Sequence, residues 1–335
     1  MSTDAVHAAK SAYWQALQAA SSLRGDAWAA AMATLFHDDT DWNGSFPLNA
    51  QRGKANVLRE VWQPLAHAMP DLTRRDDMLI AGVFREGVWV SSTGHYSGNF
   101  VNPWLGIAPT GRVVNLRYGE FCRFENGLIV ESYVIFDLLD LMRQADIWPL
   151  PASLGVAERV PGPATRDGIS LSPADAHESR QSLDLVEAMI AGLMRYDKKS
   201  LDSMEQWRYW HENFMWYGPA GIGTARGQAC YRRDHQGPFL TAFPDRVGGN
   251  HKARLGDGAY VSSTGWPSIR ATHLGGGWLG CPPTGRAITM RVMDFWRREG
   301  DLLAENWVFI DIPDLLNQMG FDLFARMRAQ GDLSS

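Results

Sequence analysis

The chain has 335 residues, 45% hydrophobic and 21% charged, with a formal net charge of −5. That length allows a large buried core and suggests two domains of ordinary size. The charges are spread without basic runs, which removes the electrostatic ground for binding nucleic acid or another polyanion.

Taken from the start, MSTDAVHAAKSAYWQALQAA has no basic opening followed by an unbroken apolar run, and no later segment is apolar for long enough to span a bilayer. A cytoplasmic protein without a membrane partner is expected. Cys122, Cys230 and Cys281 are odd in number and lack C-x-x-C spacing or a neighbouring His cluster. They encode neither a disulfide framework nor a metal site.

Helical periodicity runs through SAYWQALQAASSLRGDAWAAAMATLF, and strand-like segments dominate after it. His37 falls where helix hands over to strand, which suits a cap. The stretch VSSTGHYSGNF carries His95. It is followed by RVVNLRYGEFCRFENGLIVESYVIF, in which Asn126-Gly127 predicts a two-residue hairpin turn. Asp137 then caps a closing helix, LLDLMRQ.

After a Pro-, Gly- and Ser-containing stretch, the same order returns. His37, Trp42, Arg52, Pro70, Glu120, Glu131 and Asp137 correspond to His211, Trp216, Arg226, Pro244, Asp294, Glu305 and Asp311 at one constant offset. WLGIAPTGR is matched by WLGCPPTGR, and VSSTGH by VSSTGW, so that Trp266 stands against His95. Such collinearity predicts two tandem α+β domains, 1–150 and 181–335, joined by a linker at 151–180.

Strand alternation puts Val114, Leu116, Tyr118, Glu120, Cys122 and Phe124 on one face, so Glu120 is an acid in apolar company. In the second copy the face reads Ile288, Met290, Val292, Asp294 and Trp296. A carboxylate against apolar surface is desolvated, and its pKa tends to rise. If the hairpin count runs unbroken from Asn126-Gly127, Glu120 faces Tyr133 and Asp294 faces Trp307 across their ladders. Arg117 and Arg291 fall on the other face.

These residues resemble the SnoaL-like polyketide cyclase branch of the nuclear transport factor 2-like superfamily. The resemblance rests on G-H-x-x-G-x-F at His95, on P-T-G-R, and on an acid before F-x-R-F and a G-x-I/L-x-E-x-Y/W run, and both copies carry it. It implies cone-shaped α+β barrel domains, each a curved antiparallel sheet packed on helices around a deep apolar pocket. It also implies an acid on the long strand working as general acid/base without metal or organic cofactor, the matching positions being Glu120 and Asp294. Ser132 and Asn306 stand where the family often has His.

The functional expectation is a cofactor-independent cyclase, isomerase or lyase acting on a bulky aromatic, polyketide-like small molecule. Glu120, Asp294, His95 and Tyr133 are the catalytic candidates, and Tyr118, Trp216, Trp266, Trp296 and Trp307 the substrate-binding ones. Two alternatives stay open: a cofactorless lyase or dehydratase for a lignin-derived diarylpropane, and a noncatalytic binder of hydrophobic ligands. The 14 Trp, 14 Phe and 9 Tyr fit all three, as they fit a plain aromatic core. Duplication also suggests an intramolecular pseudo-dimer, and a further homo-oligomer stays open.

Overall fold

The computed structural model describes residues 3–157 and 160–334. Glu158 and Arg159 of the expected linker lie outside the described residues, as do Met1, Ser2 and Ser335 at the ends of the expected domains.

The chain divides into two compact units. The first runs through Trp148 and adds Ala164–Pro173 and the segment from Leu323 onward; the second holds Pro149–Pro163 and Ala174–Asp322. The expected linker is thus shared between the units, and the end of the expected second domain packs with the first. Leu323, Phe324 and Met327 are buried there, with the Phe324 ring 5.8 Å from Phe46 and Gln330 donating to Trp148 O at 3.0 Å. Burial of this short apolar stripe, rather than the repeat, decides where the last helix goes.

The first unit opens with helices α1 (Thr3–Ala20) and α2 (Gly25–Ala33). Ala9, Tyr13, Leu17 and Ala20 recur at helical spacing and are buried, giving α1 one core-facing stripe. Strands β1 (Phe36–Gly44) and β2 (Ala50–Arg52) follow, then α3 (Lys54–Val57), a π-helical turn at Leu58–Trp62, and α4 (Gln63–Ala68). The long strands β3 (Thr73–Phe84), β4 (Gly87–Asn99), β5 (Val113–Glu125) and β6 (Leu128–Phe136) lead to α5 (Leu138–Gln144). The sheet order is β2-β1-β6-β5-β4-β3. It is mixed rather than wholly antiparallel, because β1 pairs parallel with β6. The helices and strands between these two supply the long crossover that a parallel pair requires.

The second unit repeats the plan. Helix α6 (Ala176–Leu193) precedes β7 (Trp210–Tyr217), β8 (Thr224–Arg226), α7 (Gly227–Tyr231), a second π-helical turn at Arg232–Gln236, and α8 (Gly237–Ala242). Then come β9 (Val247–Gly248), β10 (His251–Asp257), β11 (Tyr260–Thr272), β12 (Ala287–Glu299), β13 (Leu302–Ile310) and α9 (Ile312–Met319); α10 (Leu323–Ser334) closes the chain. The path β10-β11-β12-β13-β7-β8 mirrors the first sheet, with β9 beside β11.

Asp137 and Asp311 do cap α5 and α9, accepting from Asp140 N and Asp314 N. Asn126 and Gly127 both have positive φ, 50° and 81°, as the predicted hairpin turn requires. The ladder beyond the turn is not regular. Phe124 pairs with Ile129, but Arg123 pairs with Glu131, leaving Val130 as an extra residue. Ala304 is the extra residue in the second copy, between Leu303 and Glu305. A one-residue bulge reverses the face of every later side chain on its strand. Glu120 therefore faces Val134 instead of Tyr133, and Asp294 faces Val308 instead of Trp307.

Candidate active site in the second unit

Glu120 and Asp294 occupy equivalent ladder positions, opposite Ser92 and Ser263 respectively. Their surroundings differ. Glu120 is 2% exposed and fully engaged. Its Oε2 accepts from Tyr13 Oη at 2.9 Å and pairs with Arg74 Nη1 at 2.9 Å, while Cys122 Sγ lies 3.4 Å from Oε1. Arg74 also pairs with Asp76 at 2.9 Å and donates to Ser92 Oγ at 2.7 Å. Its guanidinium lies 4.6 Å from the ring centre of Tyr118 and 5.6 Å from those of Tyr13 and Tyr96. Tyr118 donates in turn to Asp76. Burial raises the pKa of Tyr13, Tyr96 and Tyr118, keeping each phenol neutral. Among the described residues these groups fill the space around Glu120, and the void beside Arg74 and Asp76 measures only about 20 Å³.

Register shows what replaces this plug. Arg74 and Tyr96 face each other across β3 and β4; in the second unit Gly248 and Ile269 do so across β9 and β11. Tyr118 becomes Val292, each opposite a glycine, Gly94 or Gly265. These smaller side chains leave a cavity of about 270 Å³, near the lower end of ordinary ligand pockets.

Two local irregularities keep it open. The strand that is continuous as β3 breaks between β9 and β10 at Gly249 and Asn250, where φ is 153° and 53°. Opposite the break, Trp266-Pro267-Ser268 takes the place of the single residue His95. Asn250 Nδ2 donates to Trp266 O at 2.7 Å, and Gly249 N to Ser268 O at 2.9 Å, so the break and the insertion support each other.

Asp294 lines the cavity, half-buried, and the surface it retains opens into that space. Among the described residues no cation pairs with it. Its polar contact is Asn306 Nδ2, 3.4 Å from Oδ1, and Asn306 also donates to Phe295 O at 3.1 Å. Burial pushes the Asp294 carboxyl up to about 7, with the Asn306 hydrogen bond acting weakly the other way. Ser263, across the ladder, contacts His251 Nδ1 at 3.1 Å, which brings an imidazole from β10 to the same wall.

The π-helical turn supplies the opposing polar groups. His235 stacks on Trp216 with ring centres 4.2 Å apart, and burial, aided by Arg246, holds its pKa down to about 3. It is a neutral imidazole whose Nδ1 is buried without a hydrogen-bond partner. Both amide atoms of Gln236 and Trp296 Nε1 are likewise buried and unpartnered. Buried polar groups of this kind are costly unless something else satisfies them, and here all of them line the cavity.

The sequence-derived candidates are therefore scattered. Asp294, Trp216 and Trp296 line one cavity. Tyr118 helps fill the first unit instead of lining a pocket. Tyr133 is on the opposite face from Glu120, bonded at 2.5 Å to Glu131 and stacked on Trp89. His95 faces Arg117 in the ladder and approaches Asp77 at 3.4 Å, also away from Glu120. Trp266 lies under Arg291, 4.9 Å from its guanidinium. Trp307 stacks on Tyr217 and donates to Pro161 O at 2.8 Å, placed there by the bulge at Ala304. Reading the sequence missed His235, Gln236, Arg246 and His251, all of which line this cavity. The pairing of Arg74 with Gly248, which the repeat offset already contains, was the available signal that the two interiors differ.

Fold and cavity define a tandem α+β protein with an acid on the long strand of each half. The family model described as SnoaL-like polyketide cyclase matches residues 15–145 and 185–319, and the chain belongs to that family. No curated protein matches it. Among solved structures it is similar to AclR of Streptomyces galilaeus, at 22% identity over 42% of this chain and 82% of that one, with a TM-score of 0.34. A nuclear transport factor 2-like protein of Burkholderia xenovorans matches at 16% identity, 42% and 96% coverage, and a TM-score of 0.33. TerC, crystallised with polyporic acid, matches at 14% identity, 42% and 98% coverage, and a TM-score of 0.33. Among the described residues no group of His, Cys, Asp and Glu could hold a metal ion, and no helix is long and apolar enough to cross a membrane.

Proposed function

We propose that the protein is a cofactor-independent acid/base enzyme of cyclase, isomerase or lyase type, acting on a flat aromatic small molecule in the second unit. One observation carries this reading. Of two equivalent acids, Glu120 is locked by Arg74 and Tyr13, whereas Asp294 faces open space with a pKa near neutrality. A carboxyl poised near the working pH is present in both protonation states, which suits it to take up and return a proton. Trp216, His235 and Trp296 supply flat walls for an aromatic ring, and His251 is the nearest candidate for a proton partner. The first unit is then a noncatalytic companion.

The test is a screen of phenolic and polyketide-like aromatics, with turnover followed by mass spectrometry. Asp294→Asn should abolish turnover and keep binding, while Glu120→Gln should leave turnover unchanged. The reverse pattern overturns the assignment, and binding without turnover by the unaltered protein makes it a carrier.

A further inference from the structure

The cavity contains a cation that the proton chemistry above does not use. Arg246 is half-buried and lines the same space as Asp294. Its Nη2 donates to Leu193 O at 2.8 Å and approaches the Met204 thioether Sδ at 3.9 Å. Its guanidinium lies 5.9 Å from the Tyr196 ring centre. No carboxylate pairs with it among the described residues. The adjacent Asp245 is turned to Thr272 N, at 2.8 Å. Burial lowers the Arg246 pKa, as expected for a cation withdrawn from water without an anion to offset the cost.

The other copy shows that this arginine is not needed by the fold. At the repeat offset, Pro244-Asp245-Arg246 corresponds to Pro70-Asp71-Leu72, and Leu72 is a buried core residue at 1% exposure. The neighbouring turn changes in the same sense, from Trp62, buried in the first unit, to Gln236, whose amide is 3% exposed and unpartnered. The open copy has exchanged two apolar fillers for a cation and an amide. Guanidinium groups recognise carboxylates through directed, charge-assisted hydrogen bonds.

We propose that the ligand of this cavity is an aromatic acid, whose carboxylate pairs with Arg246 while its ring lies among Trp216, His235 and Trp296. The assignment rests on the reading of this cavity as the substrate site, but it concerns recognition and not proton transfer. Arg246 fixes the orientation of the bound molecule, and Gln236 offers a further hydrogen bond to a polar substituent on the ring.

Isothermal titration calorimetry with 2-naphthoate and methyl 2-naphthoate tests it, below pH 7 where Asp294 retains its proton. The acid should bind at least about tenfold more tightly than the ester, a difference of about 1.4 kcal/mol. Arg246→Met should erase that preference and leave the affinity for the ester within about twofold. Arg246→Lys, which keeps the charge, should retain part of it. Equal binding of acid and ester by the unaltered protein, or binding of neither, overturns the proposal, as does a preference that survives Arg246→Met. Should Arg246→Met fail to fold, the comparison of the two ligands and the Arg246→Lys variant decide. Asp294→Asn should leave the preference intact, so a failure of the catalytic reading is separable from a failure of this one.

Discussion

Arg74 Nη1 and Glu120 Oε2 form a buried ion pair of 2.9 Å inside the first unit, at the place where the second unit has Gly248 and an open cavity. Arg74 also holds Asp76, so its removal strands two buried carboxylates. Breaking a buried pair from one side costs roughly 3–5 kcal/mol, more than the pair contributes relative to an apolar filling. Arg74→Met should therefore lower unfolding free energy by that order in urea denaturation. A loss under about 1 kcal/mol would show that the cluster is solvated.

The reverse experiment fills the open copy. A Cβ on Gly248 meets nothing closer than Met194 Sδ at 3.5 Å, and its φ is not in the left-handed region. Gly248→Leu should fold normally and place its side chain in the cavity. Affinity for 2-naphthoate should drop at least about tenfold without a fall in melting temperature. Undiminished binding would place the ligand elsewhere.

Asp294 also makes stability depend on pH. Its folded-state pKa, about 7, is above the ordinary aspartate value of 3.8, so the folded protein holds a proton that the unfolded chain releases. Stability from this group is complete below about pH 4, declines as pH rises toward 7, and is constant above. At about 1.4 kcal/mol per unit, the burial cost above pH 7 is on the order of a few kcal/mol. Asp294→Asn should melt higher than the unaltered protein above pH 7, with the gap closing toward pH 4. A gap that does not vary with pH would contradict the raised pKa.

The same titration should appear in catalysis. With Asp294 acting as a base, kcat/KM rises with pH through an inflection near 7. With Asp294 acting as an acid, it falls through the same point. Either limb should vanish in Asp294→Asn, and a profile flat from pH 5 to 9 would remove Asp294 from the chemistry.

His95 and Tyr133 lie on the sheet face opposite Glu120 and in the unit without the cavity. His95→Gln and Tyr133→Phe should leave turnover within about twofold. A loss beyond about tenfold with the fold intact would return the first unit to the mechanism.

The repeat, the order of elements, the caps at Asp137 and Asp311 and the inward direction of Glu120 and Asp294 were legible from the chain alone. Each depends on local chemistry: a constant offset, a capping oxygen three residues from its amide, or the two-residue period of a strand. What failed first was counting across the hairpins, because Val130 and Ala304 each add one residue and turn Tyr133 and Trp307 to the other face.

Which of the two acids has room around it was decided only by tertiary structure. Tyr13, Arg74, Tyr96 and Tyr118 come from one helix and three strands, and no local pattern shows that they converge on one volume. In the second unit Gly248, Ile269 and Val292 leave that volume empty. Direction along a strand is set by neighbouring residues, whereas space is set by whatever the rest of the chain brings to the same point. Sequence could place two carboxyls inside, but only packing could leave one of them free.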